Sequence, residues 1–95
     1  MNDNENKIII TVSGTDKVGI VAKVATILAD CNVNIEDIKQ TLMQGHFVMF
    51  MLCSIENTNT SFPEFQTLLK DECKKLGMEV WIQRKEIFDC MHNIG

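Results

Sequence analysis

Residues 14 to 21 read Gly-Thr-Asp-Lys-Val-Gly-Ile-Val, with two glycines, one acid and one base where an apolar extended run gives way to a helical one. Such a junction offers chemistry without a catalytic side chain. The first N–H groups of a helix lack intrahelical partners and lie at the positive end of its macrodipole, so Val18, Gly19 and Ile20 are placed to donate to a carboxylate. Gly14 permits a turn with positive φ, and Gly19 removes a side chain where a ligand could approach the backbone. A structural reading uses the same residues: Asp16 caps the helix, Gly14 makes the turn, and Gly19 lets the helix pack near the sheet. Spacing alone favours the structural reading.

Other chemistries find less support. A phosphate-holding enzyme would need an arginine in this loop, where only Lys17 stands. Cys31, Cys53, Cys73 and Cys90 form no CxxC pair, so they read as free thiols of a cytoplasmic protein rather than metal ligands. His46 and His92 have no cysteine or acid at ligand spacing, and Glu36 and Asp37 could hold a cation only if a partner supplied further oxygens. Met49 and Met51 suit packing better than redox or copper chemistry. No nucleophile stands beside a base, so no catalytic residue, cofactor or metal is expected. A net charge of -4, with no basic cluster longer than Lys74-Lys75 or Arg84-Lys85, argues against nucleic acid. The polar first seven residues, and the lack of any apolar stretch of about 18 to 20 residues, predict neither leader nor membrane anchor.

The elements that must position these residues follow from periodicity. Ile8, Ile10 and Val12 share one face of a strand over residues 7 to 13, which Gly14 is expected to break. Ile20, Val21, Val24, Ile27, Leu28 and Cys31 recur at three- and four-residue spacing, predicting an amphipathic helix over 17 to 31. Residues 32 to 43 alternate, but Val33 and Ile35 are out of phase with Ile38 and Leu42, so a bulge is expected near Glu36-Asp37. Gln44-Gly45 suits a tight hairpin into a third strand, His46 to Ile55. Ser61 and Glu64 match a capping box with Pro63 in the first turn; Phe62, Phe65, Leu69, Cys73 and Leu76 form the buried stripe, and Gly77 stops the helix. A fourth strand spans residues 78 to 85.

The order β-α-β-β-α-β predicts an α+β, ferredoxin-like two-layer sandwich: a four-stranded antiparallel sheet with two helices on one face, plus a short C-terminal tail helix. Residues 1–6 are expected to be a flexible tail, 7–85 the domain, and 86–95 a tail packing on the sheet or on a dimer partner. In the third strand both faces are apolar, Phe47, Met49, Met51 and Cys53 on one and Val48, Phe50 and Leu52 on the other, so something must cover the second face. The tail and a second copy of the chain both qualify, and Trp81 could anchor either.

The run "ITVSGTDKVGIVAKVATILADCNVNIEDI" closely resembles the start of an ACT domain, a small amino-acid-sensing module attached to many metabolic enzymes and regulators. The whole chain, with "FVMFMLCSI" and "IFDCMHNI", resembles the stand-alone single ACT-domain proteins of bacteria and archaea, themselves similar to the ACT domains of the glycine cleavage system regulator. The resemblance implies a cytoplasmic, non-enzymatic regulatory homodimer that binds a small ligand, commonly an amino acid, between subunits. By position it assigns Gly14, Asp16, Lys17, Val18, Gly19, Ile20 and Val21 to one side of the ligand, and Asn34 and Ile35 of a partner to the other. The chain departs from the common pattern at Val18, where many members carry proline. An ammonium could seek oxygen from Asn34 or from an outward-turned Asp16, although Asp16 would oppose the carboxylate if it capped its own helix. The alternative is a dimerisation or docking module that regulates a partner protein without a ligand.

Overall fold

β-branched residues at every second position make the first strand, and their shared face is the centre of the molecule: Ile8, Ile10 and Val12 are all fully buried. The structure is a computed structural model describing residues 6–15 and 19–87. Its elements are β1 (Lys7–Thr15), α1 (Ile20–Asp30), β2 (Asn34–Met43), β3 (His46–Ser54), α2 (Phe62–Lys75) and β4 (Glu79–Arg84). The strands form one antiparallel sheet in the order β2-β3-β1-β4. With α1 and α2 on one face, this is the expected ferredoxin-like sandwich. Residues 85–87 are helical; the rest of the expected tail helix, with His92 and Cys90, and the expected flexible residues 1–5 lie outside the described residues.

The bulge falls where the phase change required it. Ile35 pairs with Cys53 and Asp37 with Leu52, leaving Glu36 as the extra residue. The hairpin turn has φ of 52° at Gln44 and 80° at Gly45, a left-handed pair whose twist matches that of the strands it joins. Ser61 caps α2: its Oγ accepts from the Glu64 N–H at 3.3 Å and donates to Glu64 Oε1 at 2.9 Å. Gly77, with φ 74°, stops the helix, its N–H donating to Lys74 O while that of Met78 donates to Cys73 O.

Three boundaries differ from expectation by two residues or more. β1 continues through Gly14, opposite Phe47, to Thr15, opposite His46, because the long β3 offers partners that far. α1 starts at Ile20 rather than 17, since Gly19 at φ 87° is its N-terminal cap. β2 starts at Asn34 rather than 32, because Asn32 closes α1 in the left-handed region at φ 58°. There the N–H groups of Asn32 and Val33 reach back to Ala29 O and Leu28 O, and the buried pair Val33 and Leu28 seals the turn.

The core lies between helices and sheet. Val24, Leu28, Phe65, Leu69 and Cys73 meet Ile8, Ile10, Val12, Met49, Met51 and Cys53, all of them at or near complete burial. Glu72 accepts from Lys75 at 2.9 Å and pairs with Lys23 at 3.2 Å, tying α2 to α1 at the surface. Lys7 pairs with Glu36, pinning β1 to the bulge. The other sheet face carries no described helix packed across it. Phe50 is 41% exposed and Trp81 50%, with Ile9, Val48 and Leu52 half-buried beside them.

Candidate functional site

The two loop glycines do different work from that expected. Gly14 lies within β1, and a Cβ placed on it would come 2.6 Å from Met78 Sδ, 3.2 Å from Met78 Cε and 3.3 Å from Gly77 O. Its role is therefore space, not a positive φ. Gly19 supplies the left-handed residue, and a Cβ there would meet nothing within 4 Å. The cap position belongs to Gly19 rather than Asp16, and α1 has no acidic residue in its first turn. Lys23 N–H donates to Gly19 O at 2.9 Å, so the N–H groups ahead of it, those of Ile20, Val21 and Ala22, are the ones without an intrahelical acceptor. That moves the expected donor set two residues along the chain.

Ile20 is buried and Val21 half-buried, so what Ile20 presents at this end of α1 is its backbone rather than its side chain. Asp16, Lys17 and Val18 lie outside the described residues. Asn34 and Ile35 are at the far end of the sheet, where Asn34 pairs with Ser54 and Ser54 with Lys7, whereas Gly14 aligns with Phe47 and Leu42. Within one chain, α1 separates the two groups by about 16 Å, its 11 residues rising 1.5 Å each. Asn34 opens into a polar cleft of about 500 Å³ beside the C-terminal end of α1, lined also by Asn32, Glu36, Ser54, Glu56 and Asn57. Its side-chain oxygens and the negative end of the helix dipole suit an ammonium.

Sequence reading missed one pairing. Ser13 Oγ lies 2.9 Å from His46 Nε2, on the sheet face away from the helices. The signal was available: both positions share the outward phase of their strands, and β1 and β3 are neighbours. Nucleophile and base therefore do meet, but no described carboxylate bonds the ring to orient it, and the pair is exposed. The described cysteines are poor nucleophiles. Burial, with Glu36 adding a smaller effect, pushes the Cys53 thiol up to about 12. Burial also raises Cys73 and Cys31, with smaller contributions from Glu72 and Asp30. Among the described residues no three His, Cys, Asp or Glu side chains converge to hold a metal, and no helix is long and apolar enough to cross a membrane.

Sheet order, helices on one face and a glycine cap at the N-terminus of α1 define a ferredoxin-like α+β domain built around a strand-to-helix turn. Residues 6–83 match the family model of the ACT domain, and the chain belongs to that family. A UPF0237 protein of Methanosarcina acetivorans is 47% identical over 89 residues, 94% of this chain and 97% of that protein. An ACT domain protein from Streptococcus pneumoniae has the same fold, with a TM-score of 0.76 at 34% identity over 88% of this chain and 94% of that one. A protein assigned as a glycine cleavage system transcriptional repressor superposes at a TM-score of 0.73 over 83% of this chain and 45% of that one, a likeness of fold at 23% identity. The chain is thus a member of a family that includes single domains of its own length.

Proposed function

We propose that the protein is a cytoplasmic, non-enzymatic regulatory module that acts as a homodimer and binds an amino acid between subunits. The observation that carries this reading is the register of the sheet. Among the described residues β2 is an edge strand with an unpaired ladder, and Ile38 and Leu42 stand exposed on its helix side. Antiparallel pairing of two β2 strands about their midpoint, near Ile38, sets Asn34 and Ile35 of one copy opposite Met43 and Leu42 of the other. Leu42 is in line with Phe47 and Gly14. A two-fold across this edge thus brings together, from two copies, the groups that α1 holds apart in one.

In that seam the carboxylate takes the N–H groups of Ile20, Val21 and Ala22 beside Gly19. Asp16, Lys17 and Val18 are kept on the same side of the ligand in this proposal. The partner's Asn34 and its polar cleft take the ammonium. Three buried free cysteines suit a reducing compartment. Thermal unfolding against a panel of amino acids is the test, since a ligand bound only by the folded dimer raises Tm with concentration, by the equivalent of about 2.7 kcal/mol at a hundred times Kd. Asn34→Ala should abolish the shift while leaving the unliganded Tm within a degree or so. A flat response to every amino acid at millimolar concentration refutes ligand binding and leaves the dimerisation or docking role.

A further inference from the structure

We infer that the open face of the sheet is the seat of the chain's own C-terminal segment, which continues the helix begun at Lys85 across the strands from β4 towards β2. This goes beyond the ligand-binding reading and stands without it. Lys85 directly follows β4 and residues 85–87 are helical, so the chain leaves the sheet already turning. It leaves on the open side, where Lys85 lines, with Ile9, Asp37, Lys39, Phe50 and Leu52, an apolar hollow of about 370 Å³. Residues 88–95 lie outside the described residues, but their sequence carries the pattern such a helix needs. At about 100° per residue, Ile87, Phe88, Met91 and Ile94 fall within an arc of about 120°, and Lys85, Glu86, Asp89, His92 and Asn93 occupy the opposite side.

The helical rise matches the sheet beneath. Three helical residues advance about 4.5 Å and neighbouring strands lie about 4.8 Å apart, so a helix crossing the strands close to a right angle sets every third residue over the next strand. From Lys85 at β4, Phe88 then falls over β1 at Ile9, Met91 over β3 at Leu52, and Ile94 over β2 beside the stem of Lys39. A cavity of about 150 Å³ holds one benzene ring, so the hollow has room for the Phe88 ring and the Met91 side chain together. Two arguments choose this occupant over an outside partner. Polar groups around the hollow are already committed: Lys7 pairs with Glu36, Asp37 accepts from the Ile38 N–H at 2.9 Å, and Gln83 and Lys85 are engaged in interactions of their own. An incoming surface thus finds little charge to pair with, and the occupant is recognised by apolar side chains, which the C-terminal segment carries. The tether decides the rest. A segment joined to the sheet edge without a linker is present at an effective concentration in the millimolar range, which a separate partner bearing the same side chains would have to match.

Cysteine pairing tests the seat in the full chain carrying Cys90→Ser, the other three cysteines being buried. Leu52→Cys with Met91→Cys, and Ile9→Cys with Phe88→Cys, should each close a bond within one chain under mild oxidant, seen as a faster band on a non-reducing gel. Leu52→Cys with His92→Cys should close about tenfold more slowly, because side chains that point apart cannot be bridged without movement. Bonds that join two chains instead give the face to a second copy and overturn the inference. So do equal rates for the Met91 and His92 pairs, the mark of a segment that visits the face without settling on it, and so does the absence of any bond. Thermal unfolding gives a second readout that needs no new cysteine. Phe88→Asp and Met91→Asp should each lower Tm by on the order of 10 °C, the worth of a buried large side chain in a domain of this size, and His92→Asp by under about 2 °C. Shifts that are small and equal for all three overturn the inference as well. Neither readout involves an amino acid, so a flat ligand panel would sink the ligand and leave this seat standing.

Discussion

Gly14→Ala separates the two loop glycines by energy. The new Cβ arrives 2.6 Å from Met78 Sδ and 3.3 Å from Gly77 O, against a normal carbon contact of about 3.5 to 4.0 Å. Gly77 cannot yield, because its N–H and that of Met78 hold the end of α2 at 3.0 and 2.9 Å. The movement falls on the Met78 side chain, which is buried in the core. Overpacking of this kind costs about 1 to 3 kcal/mol, and replacing a glycine returns about 0.4 to 1 through the unfolded chain. The net loss is about 0.5 to 2 kcal/mol, read as a lower urea midpoint at unchanged slope. Met78→Ala costs about 2 to 5 kcal/mol by itself but clears the space. In that background Gly14→Ala should be neutral or stabilising, giving a coupling of about 1 to 2 kcal/mol in the double-mutant cycle. Additive effects, within about 0.3 kcal/mol, would refute the steric argument.

Other substitutions give distinct signatures. Gly19→Ala should cost about 1 to 2 kcal/mol from backbone strain alone, Gly19→Asn clearly less, and neither should respond to Met78→Ala; urea midpoints decide it. Since the folded Cys53 thiol sits at about 12 against an ordinary 9.0, the unfolded chain loses its proton first as pH rises. Its contribution is whole below pH 9 and drains away by about 1.4 kcal/mol per pH unit between 9 and 12, so Cys53→Ala should flatten the alkaline limb of stability against pH. In acid the sign reverses at Glu72, whose carboxyl is held low first by its hydrogen bond to Lys75 and then by that to Lys23: its stabilisation fades as pH falls through the carboxylate range, and Glu72→Gln should remove that dependence.

Local signals carried most of the fold into the sequence. The bulge at Glu36 was written in the phase change between Ile35 and Ile38, the α2 cap in Ser61 and Glu64, and the hairpin in Gln44-Gly45. What failed was the division of labour between Gly14 and Gly19. A glycine in a sequence announces tolerance of either a left-handed φ or a missing Cβ, and only the approach of Met78, distant along the chain, tells which. Asn32 escaped notice for a related reason, since asparagine enters the left-handed region less freely than glycine and gave the helix end no obvious mark. The proposed site was legible as a loop and a strand start, and through the family resemblance as shared between two subunits; that Gly14 and Asn34 stand at opposite ends of one sheet was not.

The position of β1 also governs how the chain acquires its shape. Thr11 pairs with Phe50 on one side and Trp81 on the other, about 40 and about 70 residues along the chain, while β2 and β3 are joined by a two-residue turn. Loop-closure entropy grows only as the logarithm of length, so the two closures around β1 differ by about 0.5 kcal/mol. Neither neighbour is entropically preferred as its first docking partner. The hairpin can form as a local unit, but the middle of the sheet cannot be assembled stepwise from near to far, and collapse around Ile8, Ile10 and Val12 must bring remote segments together in a single cooperative event.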